Sequence, residues 1–516
     1  MHPPTGYPEH INRGYEAHTD IPATLKHTVR MEQSFDVVII GAGISGINTA
    51  YRLQSQNPKL RYTILEARNN LGGTWDLFKY PGIRSDSDLF TFGFSWHPWD
   101  QGNPIADGPS IVKYMNNAAE RHGIKKHILF EHRLLGADWS SAENTWSLSV
   151  EHEGQSKSFS ARFIVFGTGY YDYHMPLQAE IPGLDQFQGQ IIHPQFWPEG
   201  LDYSDKKVVI IGSGATAVTL LPNLAQKAKH VTMLQRSPTY ILSIPNQQRS
   251  WLSYILPAAL DRKIQRLRWL LSSRFFFFFC QAFPTLARFI LRLSVSRQLP
   301  SHVPHDPHFR PRYNPWDQRL CICPDGDFFK SLHTGRANVK TDTIREVTTS
   351  GIVLNSGEKL DADMIITATG LKLQIAGGAS VTVDGIPQYV SDKYIWHGIM
   401  LQDVPNAAFV IGYTNASWTL GADATAQFLC RLLQELEQRG VKAAVPRLSP
   451  ATAKEMQPRR LLNLNSTYVT KAERDLPKAA DRGPWLPRDN YLDDIKFAKK
   501  GRIDEDMEFL GEKKLQ

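Results

Sequence analysis

Two stretches of this 516-residue chain limit what it can fold into more than anything else it contains. The run 35–40, Phe-Asp-Val-Val-Ile-Ile, stops in Gly41-Ala42-Gly43-Ile44-Ser45-Gly46, and the run 208–211, Val-Val-Ile-Ile, stops in Gly212-Ser213-Gly214-Ala215-Thr216-Ala217. A nearly continuous apolar run of this length suits a parallel strand buried on both faces, and a helical pattern, 47–53, comes after the first glycine turn. A strand-to-helix turn of this kind brings a dinucleotide pyrophosphate to a helix N-terminus. Gly41 and Gly212 allow the tight turn, Gly43 and Gly214 let backbone approach phosphate, and Gly46 and Ala217 permit close packing of helix on strand. Two such signatures call for two nucleotides. They predict an α/β protein with two Rossmann-like dinucleotide-binding domains.

The strand after each signature separates the two nucleotides. Beyond the first, the run 62–66 is a second strand ending in Glu66, 25 positions from Gly41, where an acceptor for ribose hydroxyls is expected at about 20. Beyond the second, the run 230–234 ends in Gln235-Arg236-Ser237, with no acid. Arg236 with Ser237 can take a 2′-phosphate through a charge-assisted fork, which selects NADPH over NADH.

Length suggests more than one core, at about 100 to 200 residues per domain. With 42% hydrophobic and 21% charged residues the chain is neither disordered nor a disulfide scaffold. Its four cysteines, Cys280, Cys321, Cys323 and Cys430, include no C-x-x-C pair, so a reducing compartment is expected and neither a dithiol site nor a metal site is. A formal net charge of +7 attracts dinucleotide phosphates, acidic lipid heads and nucleic acid alike and decides nothing alone; no nucleic-acid partner is expected. The first ten residues carry three prolines and no apolar run, and Glu9, Glu16 and Asp20 lie in the same region, which predicts neither a secretory signal nor a transit peptide.

Three further motifs lie between and after the signatures. The first is Phe187-Gln188-Gly189-Gln190-Ile191-Ile192-His193-Pro194-Gln195-Phe196-Trp197-Pro198, and the second is Gly72-Gly73-Thr74-Trp75 through Tyr80-Pro81-Gly82 to Asp86. The third is Tyr313-Asn314-Pro315-Trp316-Asp317-Gln318-Arg319-Leu320-Cys321. Glycine and proline in the second fix an irregular backbone able to lie against a flat ring, and Trp75 offers a stacking surface. Leaving Trp75, Phe78 and Tyr80 all in water would expose a contiguous apolar patch, which argues against a plain surface loop. His193 and Trp197 would share a face on a helical turn, and His193 is read as orienting a linker in preference to moving a proton.

The first motif, at Phe187, Gly189, His193, Trp197 and Pro198, resembles the fingerprint of the Baeyer-Villiger type of class B flavoprotein monooxygenase. The second resembles that group's other fingerprint, and the third resembles the ethionamide-activating and long-chain alkane monooxygenase relatives. The resemblance implies FAD at the first site and NADPH at the second, a flavin covered by the segment with Gly73, Thr74 and Trp75, and Asp86 facing the reaction centre. It makes Arg319 the catalytic arginine. An always-charged guanidinium stabilises developing negative charge without giving up its proton. Asp86 is the partner expected to park it, although a structural salt bridge has the same composition. Relatives often carry Lys just before that arginine; Gln318 stands here, so NADPH selection rests on Arg236.

The implied reaction is NADPH reduction of FAD, addition of O2 at flavin C4a, and attack of the resulting peroxide on a ketone to give an ester or lactone. Oxygenation of sulfur or nitrogen, oxidation of a long-chain aliphatic, and an NADPH-dependent flavin reductase remain as alternatives. The substrate expected is small and hydrophobic.

For the rest of the chain, Trp146, Leu148 and Val150 after the turn 140–144 predict a hairpin, and the run 163–166 a buried strand ending at Gly167. The runs 364–367 and 408–411 are read as strands returning to the first domain, and 418–437 as a helix with Thr419 near its cap. Domains are expected at 34–195 and 351–440 for FAD and 196–350 for NADP, with an N-terminal extension 1–33, a helical insertion at about 245–312 and an unreadable tail 441–516. Segment 251–300 is apolar and basic, with Phe275 to Phe279 consecutive. Two readings stay open there. In the preferred one the Phe run is core under a solvated arginine face, and in the other the segment lies on a membrane surface. A cytoplasmic protein results from the first, a membrane-associated one from the second.

Overall fold

Strand Gln33–Ile40 lies in the middle of a nine-stranded sheet, parallel to Tyr62–Leu65 on one side and to Gln155–Phe166 on the other. The register pairs Ile40 with Leu65 and with Phe166, so three strands end level and their turns converge on one edge. The computed structural model describes residues 33–246 and 255–511. The extension expected at 1–33 lies outside the described residues except for Gln33, as does the start of segment 251–300.

Strand Gln155–Phe166 is long enough to serve two layers. Its first part pairs antiparallel with Thr145–His152, which closes a hairpin with Arg133–Ser140, and its last residues pair in parallel with Ala407–Phe409. Asn144 takes a positive φ of 53° in the hairpin turn, a conformation asparagine tolerates better than most residues. The expected hairpin and the strand ending at Gly167 are both present.

The second sheet is all parallel, in the order Ala337–Thr341, His230–Gln235, Lys207–Ile211, Met364–Thr367, Gln190–Ile192. This corrects two boundaries. Strands Met364–Thr367 and Gln190–Ile192 were expected in the first domain, yet both hydrogen-bond in the second sheet. A short run buried on both faces reads the same whichever parallel sheet takes it, because the pattern records burial and not the partner. The 408–411 region does return to the first sheet, through Ala407–Phe409. The expected architecture of two dinucleotide-binding units, one inserted in the other, is the observed one.

Helix Trp418–Arg439 packs against helix Ile44–Gln56, and Asp423 receives Arg52 Nε at 2.7 Å and Asn48 Nδ2 at 3.2 Å. Its cap is Ser417 and not the Thr419 region expected: Thr419 is buried and donates to the Phe92 carbonyl. The tail is ordered as far as it is described. Strand Ala443–Pro446 pairs with Met507–Leu510, helix Tyr491–Lys500 lies on Trp418–Arg439, and Trp485 is fully buried. Its many short elements carry too few periodic residues to be read from sequence.

The insertion forms helices Ala258–Ala282 and Pro284–Ser296, bent by 115° at their junction. The reading of the Phe run as core holds for only part of it: Phe276 packs against the cluster of Tyr240, Leu291 and Leu320, and Phe277 meets Trp316. Phe275 is 72% exposed and Phe278 51%, while Cys280 is fully buried. Five consecutive residues on a helix of 3.6 per turn point in every direction, so one buried face cannot take them all.

Candidate functional site

At the edge where the three strands of the first sheet end, a cavity of about 490 Å³ opens, lined by Gly41, Gly43, Glu66, Gly73, Thr74, Trp75, Asp86 and Arg319 among others. Gly41 needs its positive φ of 98°, and a Cβ on Gly46 would sit 1.9 Å from the Gly41 carbonyl oxygen. Helix Ile44–Gln56 therefore presses on the turn as closely as backbone allows. Gly43 caps that helix with no side-chain hydrogen bond, leaving backbone N–H groups available to an anion.

Glu66 is buried at the end of its strand and accepts from Ala42 N at 2.7 Å and from Arg68 N at 3.0 Å. Burial pushes its carboxyl up and the two backbone donors oppose this. Glu66 thus shapes the glycine turn as well as lining the cavity, a duty the sequence reading missed.

Segment 72–86 forms one wall. Helix Thr74–Leu77 carries Trp75, whose ring meets Phe92 edge-on at 5.6 Å, and Arg68 anchors the segment by pairing with Asp76 at 2.7 Å. The segment then crosses to the other domain. Phe78, Tyr80 and Ile83 are buried in the core of the second sheet with Val208, Ile210 and Ala217. Gly82, at a φ of 76°, lies so close to helix Ala215–Leu224 that a Cβ would fall 2.0 Å from Asn223 Nδ2. One segment therefore walls the cavity at both ends and joins the two units through its middle.

Asp86 and Arg319, 233 positions apart in sequence, meet at the cavity. Arg319 Nε stands 3.6 Å from Asp86 Oδ2, and its Nη2 donates to Ser87 Oγ at 3.1 Å. Both side chains stay about a third exposed, 35% and 29%, so the pair faces the cavity and not the core. The Asp86 carboxylate pushes the Arg319 guanidinium still further up from its ordinary value, with smaller contributions from Tyr170, Tyr468 and Tyr171. A fixed positive charge results. Tyr171 donates to Tyr170 at 2.9 Å, and Tyr170 stacks on Trp418 at 4.9 Å. Burial holds these tyrosine hydroxyls protonated by pushing their pKa values up. The sequence reading missed Ser87, Tyr170, Tyr171 and Trp418. The paired tyrosines just after Gly167-Thr168-Gly169 were the available signal.

At the second turn, Gly212 needs its φ of 140°, and a Cβ there would lie 2.2 Å from the Ala368 carbonyl oxygen. Gly214 is exposed at the N-terminus of helix Ala215–Leu224, and a Cβ on it would meet nothing within 4 Å. Ala217 is fully buried under the turn. Arg236 and Ser237 are exposed just past strand His230–Gln235, with Arg236 Nη2 donating to Thr467 Oγ1 at 3.2 Å. An open helix N-terminus with an accessible guanidinium beside it fits a phosphorylated dinucleotide.

The Phe187–Pro198 motif does not line the cavity. Phe187 is buried in the second unit, and Gly189 lies beneath its ring, where a Cβ would be 2.6 Å from Cζ. Residues 190–192 form the edge strand of the second sheet. His193 caps the short turn Pro194–Phe196 by accepting from Gln195 N at 3.2 Å, so it shares no helical face with Trp197, whose ring meets Tyr203 edge-on at 6.4 Å. Pro198 begins the next turn, its carbonyl accepting from Leu201 N.

Two glycine turns at the ends of parallel strands in two sheets, with a cavity carrying a fixed guanidinium beside the first, define an oxidoreductase that works with two dinucleotides. Residues 34–376 match the flavin-binding monooxygenase-like family, and the chain belongs to that family. It is 49% identical to the FAD-containing monooxygenase EthA of Mycolicibacterium smegmatis, over 92% of this chain and 97% of that one. Among solved structures it superposes on an oxidised steroid monooxygenase bound to NADP with a TM-score of 0.72 at 20% identity, covering 92% of this chain and 99% of that one. An open form of cyclohexanone monooxygenase gives 0.71 at 20% identity, covering 93% and 100%. At that identity the likeness establishes the fold alone. The protein is a flavin-dependent monooxygenase using FAD and NADPH.

Proposed function

We propose that this monooxygenase inserts one oxygen atom from O2 into a ketone to give an ester or lactone, with Arg319 as the catalytic charge and Asp86 as its positioning partner. The observation that supports this most strongly is the pairing of Arg319 with Asp86 on the cavity wall. FAD bound there and reduced by NADPH supplies activated oxygen, and the rest is positioning and electrostatics by this chain. A permanent cation stabilises oxygen that carries negative charge, and such oxygen is a nucleophile that attacks a carbonyl carbon. Asp86 and Ser87 hold the planar guanidinium at that wall. The cyclohexanone monooxygenase that shares the fold is named for a cyclic ketone, which agrees with this reading.

In the same reading Gly41, Gly43 and Gly46 admit the FAD pyrophosphate, Glu66 accepts from ribose with its remaining lone pairs, and Gly73, Thr74 and Trp75 cover the flavin. Gly212, Gly214 and Ala217 admit NADPH, with Arg236 and Ser237 on its 2′-phosphate. One observation favours a second reaction. The hydroxyl-bearing side chains of Tyr170 and Tyr171 line the cavity together with Arg319, and donors there favour a protonated oxygen that attacks sulfur.

The deciding experiment is mass analysis of products formed under 18O2 from linear, cyclic and aryl ketones alongside thioethers. Esters or lactones carrying one labelled oxygen are expected. Labelled sulfoxides with unchanged ketones would replace this reading with the second.

A further inference from the structure

The helix pair of the insertion leaves an apolar face that nothing in the described chain covers. On helix Ala258–Ala282 the exposed large side chains are Leu260, Ile264, Leu267, Leu271, Phe275 and Phe278, at spacings of four, three, four, four and three. Such spacing keeps them on one stripe. Helix Pro284–Ser296 continues the face with Leu286, Phe289, Ile290 and Leu293, again at three- and four-residue spacing. Monomeric proteins rarely expose so long a contiguous apolar surface without a partner.

Charge on these helices identifies the partner. Residues 258–296 hold seven basic side chains and one acid, Asp261, a net +6 against +7 for the whole chain. Helical geometry puts Lys263 on one edge of the first stripe, where a long basic side chain can extend past an apolar surface to reach phosphates; Arg274, on the same edge, donates to Asn490 and lies over the Phe278 ring. Arg262 and Arg266 fall on the opposite face. There Arg266 donates to the carbonyls of Phe90 and Gly93 at 2.7 and 2.8 Å and anchors the helix to the body.

A second observation is independent of the stripe. Beside helix Pro284–Ser296 lies a cavity of about 260 Å³ lined by Arg288, Arg292, Arg310 and His305. Its wall also includes Phe289 of the apolar face. A cationic hollow opening at the edge of an apolar face matches a phospholipid, with the headgroup phosphate in the hollow and the acyl chains along the face. A polybasic surface of this kind is drawn to anionic bilayers. No single helix among the described residues is long and apolar enough to cross a membrane, and the 115° bend suits two segments lying flat.

We infer that helices Ala258–Ala282 and Pro284–Ser296 form a docking surface for an anionic phospholipid bilayer, with Arg288, Arg292 and Arg310 receiving a headgroup. Its position also touches the cavity. Trp269, on the inner side of the first helix, stacks on Phe90 at 6.3 Å, and Phe90 belongs to the short helix whose Phe92 lines the cavity. Phe277 meets Trp316 at 5.5 Å, three residues before Arg319. Side-chain contacts through Trp269 and Phe90 thus connect the inner side of the first helix to the element that carries Phe92.

The test is co-sedimentation of the FAD-loaded enzyme with vesicles of phosphatidylcholine and phosphatidylglycerol in a 3:1 ratio, against vesicles of phosphatidylcholine alone. Binding to the anionic vesicles that weakens as salt rises is expected. The triple variant Phe275→Ser/Phe278→Ser/Phe289→Ser should lose at least ~10-fold of that binding while keeping FAD content and NADPH oxidation, because these side chains are exposed. Arg288→Gln/Arg292→Gln should lose roughly fivefold per residue on anionic vesicles and little on neutral ones. Equal sedimentation with and without vesicles, or of wild type and triple variant, would overturn the proposal. So would a wild-type dimer that the triple variant turns into a monomer with no vesicle binding by either, since a second copy would then cover the face.

Discussion

Arg319 is bound at its guanidinium by one carboxylate and one hydroxyl, both from the segment 86–87, and otherwise faces the cavity. If it stabilises charge that develops during oxygen transfer, its removal costs more in transfer than in flavin binding, because the interaction strengthens only as the charge appears. Arg319→Ala is expected to keep FAD and to consume NADPH, but to release hydrogen peroxide and lose at least ~10²-fold in ketone oxygenation, the scale of deleting one oxyanion donor. Arg319→Lys should recover part of this, since a hydrated point charge replaces a planar fork. The readout is oxygenated product per NADPH consumed. An alanine variant with wild-type product yield would leave Arg319 as no more than the structural partner of Asp86. At this scale the sequence was informative about residue type and poor about second duties. Arg319 and Asp86 were singled out from motif positions and do meet. Glu66 was assigned to ribose alone, although both of its oxygens also hold the backbone of the turn.

Among the elements, the strand–glycine–helix turns were legible because every requirement is local: a buried strand, a positive φ, and a helix with a glycine or alanine at its contact point. The three glycines of the first turn nevertheless differ in what a side chain would meet. A Cβ on Gly46 strikes the Gly41 carbonyl oxygen at 1.9 Å, so the helix must leave the strand; a Cβ on Gly43 finds its nearest atom, Gly73 Cα, at 3.6 Å. Gly46→Ala is therefore expected to lose both FAD and part of the fold, with a lowered unfolding midpoint. Gly43→Val should remain folded, with a wild-type far-ultraviolet circular dichroism spectrum, and lose the yellow colour because the valine occupies the approach of the pyrophosphate. Retention of stoichiometric FAD by folded Gly43→Val would move the flavin elsewhere. Two elements were misread for reasons that are not local. Strand Met364–Thr367 has the composition of either sheet and is placed by its neighbours. The Phe run looked like core because apolar residues are core on average, and only the packing shows that Phe275 and Phe278 stay largely exposed.

Over the whole molecule, the two nucleotide units share more than the chain crossings between their sheets. Segment 72–86 puts Gly73, Thr74 and Trp75 on the FAD cavity and Phe78, Tyr80 and Ile83 in the core of the second sheet, under the helix that begins at Gly214. Gly82 touches Asn223 of that helix with no room for a methyl group. FAD contacts with the two ends of the segment would therefore order its middle, which packs against the helix that receives NADPH. Ordering done once by the first ligand need not be repeated by the second, and that produces positive coupling between the sites. NADP+ is accordingly expected to bind the FAD-loaded protein about fivefold or more tightly than the flavin-free protein, a coupling of ~1 kcal/mol or more. Linkage then requires NADP+ to tighten FAD by the same factor. Titration calorimetry with NADP+ on both forms measures the first factor, and fluorescence titration of FAD with and without NADP+ measures the second. The variant Gly82→Ala, which forces the segment off helix Ala215–Leu224, should shrink both factors together while each site still binds its own nucleotide. Equal NADP+ affinities with and without flavin would mean that segment 72–86 joins the two units mechanically without carrying binding energy between them.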